Sequence, residues 1–199
     1  MPPQPLSRYL LGQAYNNAWA DHRLLRACSA LSQAEFDDAT RTSFFPSIRY
    51  TLNHNLTTQR FYLDALWRDW RGEPPHPDYQ QFFEPEEPYA TCAALWQAQR
   101  ESNDALIAYC AELSDDKLDA VVTIDRGDEL QRDTRQRLLA HLFQHQVHHR
   151  GQVHAMLAGT PVAPPQLDEF YSSGEADLRA QDFAELGWTE KQVWGDESL

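Results

Sequence analysis

Apolar residues recur at helical spacing along four long stretches of the chain. In the first, from Ser7 to about Leu31, Leu11, Tyr15, Ala18, Leu25 and Cys28 fall on one face, and Ser7 is placed to cap it. The second runs from Pro46, a residue favoured in a first helical turn, to about Trp70, with Ile48, Leu52, Leu56, Leu63 and Leu66 as its stripe; Gly72 and Pro74 stop it. The third spans about Pro88 to Leu113 through Leu95, Trp96, Leu106 and Tyr109. The fourth spans about Thr134 to Ala158, closed by Gly159 and Pro161.

Between the second and third stretches lie Pro74, Pro75, Pro77, Pro85 and Pro88, which rule out a continuous helix and leave a long crossover able to span a bundle. Val121 to Ile124 is short and β-branched, and Arg126-Gly127-Asp128 reads as a turn, so a small strap or hairpin is expected before the last long helix. The remainder, 172–199, is expected to be an irregular tail holding a short helix near Ala176 to Leu186 and a last turn capped by Thr189. The pattern predicts an all-α chain forming one domain, 1–199, with its core in about 7–171.

Charge narrows the functions. Thirty acidic residues against seventeen basic ones give a formal charge of -13, which repels phosphate backbones and argues against a nucleic-acid partner. The densest basic run, Arg132, Arg135 and Arg137, reads as a solvated helix start. Cys28, Cys92 and Cys110 form no CxxC pair, so no disulfide framework or cysteine zinc site is indicated. With no secretory leader pattern and no membrane-length apolar run, the expected location is the cytoplasm.

The chemistry is concentrated in histidine. His141, His145, His148, His149 and His154 put five of the eight histidines within fourteen positions of the last long helix. Residues four apart lie one above the other on a helix, so His145 and His149 can aim two imidazoles at one point, the geometry of a metal clamp. Leu138, Leu142, Val153 and Met156 share their row, and histidines on an apolar stripe need partners for their nitrogens. A third ligand must come from elsewhere, and His54, in a row with Tyr50, Thr58 and Phe61, is the candidate. Hydrogen-bonded core histidines are the alternative for all three. His141 and His148 are expected to support the site, His22 and His76 to lie on the surface or in loops, and His154 to be exposed.

A zinc protease would need His-Glu-x-x-His; Gln146 stands at the glutamate position and accepts no proton. Glu-x-x-His pairs for a di-iron site, Walker loops and GxSxG elbows are also missing from the sequence.

The string His141-Leu-Phe-Gln-His145-Gln-Val-His148-His149-Arg150-Gly151-Gln152, with Leu52-Asn53-His54, Asn17-Ala18-Trp19-Ala20-Asp21 and Leu167-Asp168, resembles the DinB-like family of four-helix metalloenzymes. The resemblance implies a four-helix bundle with the crossover between its second and third helices. It also implies a homodimer and a divalent ion, zinc or nickel, held by His54, His145 and His149. Relatives of this fold include transferases and isomerases in which a metal-bound thiolate of a low-molecular-weight thiol is the nucleophile.

Three uses of such a chain differ in chemistry. A metal-dependent transferase or hydrolase acting on a small molecule would activate water or a thiol, with His148 or a loop carboxylate, Asp168 or Glu169, as proton acceptor. A binding module would use the ion without reaction, and a structural dimer would need no ion. Gly151 inside the helix costs about 1 kcal/mol relative to alanine, which implies a close neighbour. Arg150 is expected at the rim, paired with Asp168, with an anionic substrate or in a surface salt bridge.

Overall fold

The computed structural model describes residues 5–195. Its long helices are α1 (Leu6–Cys28), α3 (Ile48–Arg71), α4 (Cys92–Ala111) and α5 (Arg135–Leu157), joined by a short α2 (Gln33–Asp37) and an antiparallel hairpin, β1 (Val121–Asp125) with β2 (Leu130–Thr134). Two further helices, α6 (Ala176–Leu186) and α7 (Glu190–Trp194), close the chain. Among the described residues no helix is long and apolar enough to cross a membrane.

The core divides into two apolar clusters, one at each end of the bundle. Leu10, Ala14, Leu66, Leu106 and Leu138 belong to one; Leu24, Leu25, Leu52, Leu95 and Val153 belong to the other. Early residues of α1 and α5 and late residues of α3 and α4 share the first cluster, so α1 and α5 point one way and α3 and α4 the other. Two successive parallel helices need a connection as long as the bundle, which is why the proline-rich segment between α3 and α4 must be long.

Local chemistry sets the ends. The Ser47 side chain accepts a hydrogen bond from the Tyr50 amide at 3.0 Å, so α3 opens one residue after Ser47 and Pro46 lies just outside the helix rather than in its first turn. Gly72 ends it with φ +69°, a left-handed conformation that glycine adopts without penalty. The first helix stops at Cys28, short of Leu31. Ser32 and Glu35 then form a reciprocal capping box that opens α2, an element the apolar pattern did not predict.

Helix α4 begins at Cys92 instead of Pro88 because Tyr89 is held elsewhere. The Asn53 amide donates to the Tyr89 carbonyl and accepts from its N–H, both at 2.9 Å, clamping the crossover onto α3 one residue before His54. Asn53→Ala is expected to leave two backbone groups unpaired and to cost about 1 to 3 kcal/mol, measured as a lower urea midpoint at unchanged slope.

The C-terminal segment, His22 and Arg135 depart from expectation. The segment after Tyr171 is ordered into helix, with α6 and α7 where the sequence placed them, and Phe170, Phe183 and Val193 pack on Tyr15, Trp19 and Ala20 of α1. This cover buries His22, whose Nε2 lies 2.8 Å from Glu185, so His22 is not a surface residue. Arg135 is also buried rather than solvated: it pairs with Asp69 at 2.5 Å and lies over the Trp70 ring, while Arg132 and Arg137 remain exposed.

Candidate metal centre

His54 projects from the second turn of α3, and His145 and His149 project from successive turns of α5 into the groove between the two helices. The ring centroids are 5.0 Å apart for His54 and His145, 4.7 Å for His54 and His149, and 4.3 Å for His145 and His149. One nitrogen from each ring falls within 4.8 Å of the others, a set that could hold a metal ion. His54 Nε2 and His145 Nε2 face each other at 3.1 Å.

Protonation favours a cation. Burial, reinforced by neighbouring histidines, pushes His54 down to about 4 and His145 to about 3, and burial also lowers His149. All three are therefore neutral at pH 7 and offer lone pairs. The Gln152 carbonyl accepts from His149 Nδ1 at 2.8 Å, which leaves His149 Nε2 as the free acceptor. One proton shared between two rings satisfies one pair; a cation satisfies all three. His145 Nδ1 is buried without a partner, so packing rather than an outer hydrogen bond orients that ring.

The same shifts set an acid limit on the metal-free protein. The unfolded chain takes up protons on these rings near pH 6.5 and the folded one only near 4 and 3, so the stability present above pH 6.5 is lost as pH falls through that window. The melting temperature of apoprotein is expected to fall between pH 6.5 and 4, and the His54→Ala/His145→Ala protein to show a shallower fall over that range. Equal slopes would contradict the assignment.

An aromatic wall closes the groove. Phe45 stands 4.5 Å from the His54 ring and 5.6 Å from His149, stacked at 4.7 Å on Tyr50, while the Tyr50 hydroxyl donates to Glu86 of the crossover. Phe44 beside it is 82% exposed. The apolar pattern placed Tyr50 in the row of His54 but did not single out Phe44 or Phe45; a Phe-Phe pair just before a helix start was the available signal.

The other histidines and the loop acids separate. His148 is exposed beside His149, 4.9 Å between rings, and its Nε2 is 3.1 Å from the Gln152 amide. His141 is exposed against Tyr62. His76 lies in the crossover, as expected. His154 is half-buried, not exposed, with Nε2 3.0 Å from the Pro165 carbonyl. Asp168 is exposed and lines a cleft between α1 and α5 to which none of the three converging histidines contributes, and Glu169 pairs with Arg23 at 2.5 Å. Of the residues considered as proton acceptors, only His148 stands beside the trio.

Arg150 is the largest departure from expectation. It is 4% exposed and reaches inward, its Nη1 donating to Asn17 and to Asp21, not to Asp168. These belong to a buried polar layer between the two apolar clusters: the Asn17 amide reaches Gln59 and Asn103, Asn103 donates to Asp21, and Gln99 donates to Asn103. All four long helices contribute. Burial raises the Asp21 carboxyl above its ordinary range against the pull of Arg150. Gln146 is wholly buried and its amide donates to the Asn55 carbonyl at 2.9 Å, so this residue ties α5 to α3 at the level of the histidines.

His22, Asp182 and Glu185 also bring ligand atoms within 4.8 Å of one another, but Arg23 and Arg26 already pair with the two carboxylates, making this an ion-pair network that docks α6 on α1. The chain's own thiols are poor nucleophiles, since burial pushes Cys92 up to about 11 and Cys110 to about 12 and raises Cys28 further.

Fold and site together define an all-α bundle protein carrying a partly exposed three-histidine cluster that could hold a metal ion. The DinB family model matches residues 10–181, and the chain belongs to the DinB family. That match extends beyond Tyr171 through half of α6. No curated protein matches the chain.

Proposed function

We propose that this DinB-family chain is a divalent-metal-dependent enzyme of the transferase or hydrolase type, acting on a small molecule, with zinc or nickel held by His54, His145 and His149. The convergence of three neutral imidazoles from two helices, within 4.8 Å and half-open to solvent, carries this reading. Three protein nitrogens leave coordination positions free, as catalytic sites require, and a bound ion would lower the pKa of water or of a low-molecular-weight thiol. Phe45 packs against the His54 and His149 rings and stacks on Tyr50, and His148 is the nearest candidate to take a proton. The net charge of -13 favours a small substrate over nucleic acid. A homodimer, which the family resemblance implies, belongs to the same proposal, and a monomer by sedimentation equilibrium would remove that part alone.

Cobalt-substituted protein titrated with small thiols tests the chemistry. A thiolate-to-metal charge-transfer band that is absent from His54→Ala protein is the expected result. An unchanged spectrum at saturating thiol would rule out thiol activation and leave water activation, scored by hydrolysis of an ester panel. Failure of both would overturn the enzymatic reading.

A further inference from the structure

On the far side of α5 from the histidine trio, a cleft of about 340 Å³ lies between α1, α5 and the loop 166–168. Its volume falls in the range of small-molecule sites. Ala20, Val147 and Leu167 supply apolar wall, Arg150 lies within, and Asn16 and Asp168 complete the lining. The loop wall is already held in place. His154 Nε2 bonds to the Pro165 carbonyl, and Arg23 Nη1 donates to the Gln166 carbonyl, each at 3.0 Å.

Two features have no use inside the fold. Gly151 sits in the interior of a 23-residue helix, where glycine is unfavourable, yet a Cβ built there would meet nothing within 4 Å. No close neighbour requires it, which corrects the expectation from the sequence; its effect is to leave the cleft open. Arg150 makes its protein hydrogen bonds through Nη1, and among the described residues none is made by Nε or Nη2. That edge is the one that binds the two oxygens of a carboxylate side by side. Asp168, on the loop wall, is an exposed carboxylate. Acceptors of this kind suit an ammonium group.

We propose that this cleft is a second ligand site, separate from the histidine trio, which takes a small amphoteric carboxylate of the amino-acid type. Arg150 receives the carboxylate, Asp168 receives the ammonium, and the apolar wall receives a short side chain.

Calorimetric titration of the full chain with glycine, L-alanine, L-leucine, acetate and ethylamine tests it. One amino acid bound per chain is expected, with acetate and ethylamine each weaker by roughly tenfold or more. Gly151→Leu, which fills the cleft and favours the helix, is expected to melt no lower than wild type, keep its metal content and lose amino-acid binding by roughly tenfold or more. Asp168→Asn weakens amino acids and leaves acetate unchanged. His54→Ala binds amino acids as wild type does. No binding at millimolar concentration, acetate binding as tight as the amino acids, wild-type affinity in folded Gly151→Leu, or loss of binding in His54→Ala would each overturn the proposal. The last of these would place the ligand at the histidines.

Discussion

Replacing His145 by alanine is expected to strip the metal from the protein while leaving the bundle folded. His145 lies closest to His149 and faces His54 through Nε2, so its loss leaves two nitrogens with no third within reach. Substitution of residues that merely orient ligands costs 10–100-fold in metal affinity, so removing a ligand should cost roughly 100-fold or more. Metal content after dialysis is expected to fall from one equivalent to none. The fold does not depend on the ring, whose buried Nδ1 is already without a partner and whose neighbours repel its charged form. Apoprotein of the variant should therefore melt at or above the wild-type temperature near pH 5. His148→Ala is the control: its Nε2 faces Gln152, and metal content should be unchanged. Full metal content in His145→Ala would remove the basis of the proposed chemistry.

Asp21→Ala should produce the largest loss of stability in the molecule. The substitution leaves the Arg150 guanidinium buried with Asn17 alone, and breaking a buried ion pair by removing one partner costs about 3 to 5 kcal/mol. For a chain of this size that corresponds to a melting temperature lower by about 6 to 20 °C. A double variant, Asp21→Leu with Arg150→Met, removes both charges and should recover most of the loss, because the isolated charge rather than the missing attraction carries the penalty. Equal destabilisation in single and double variants would mean that the amide network around the pair, not the charge, holds the layer together.

The sequence showed well where packing alone decides and poorly where polar groups are buried. Ile48, Leu52, Leu56, Leu63 and Leu66 are all buried, as are Leu138, Leu142, Val153 and Met156, because an unbroken apolar stripe has only one way to face a core. His54, His145 and His149 converge because the same stripes set the rotation of α3 and α5. The polar layer was not legible in the apolar pattern, since Asn17, Asp21, Gln99 and Asn103 look like solvated positions one at a time. Their spacing of four within otherwise apolar rows, shared by Gln146 and Arg150, was the signal that they face inward. The burial of His22 and Arg135 could not be read from their own helices, because α6 covers one and Asp69 with Trp70 receives the other. Phe45 reaches the trio from a loop without periodicity, where spacing carries no information.

The proposed chemistry requires that the three imidazoles share one ion. Anomalous diffraction from crystals of untagged protein, collected on both sides of the zinc and nickel edges, measures this directly. The expected map has one peak about 2.0 to 2.2 Å from a nitrogen of each of His54, His145 and His149, with at least one further position taken by water or a small ligand. A map without a peak among the rings, with His54 and His145 joined by a hydrogen bond instead, would contradict it.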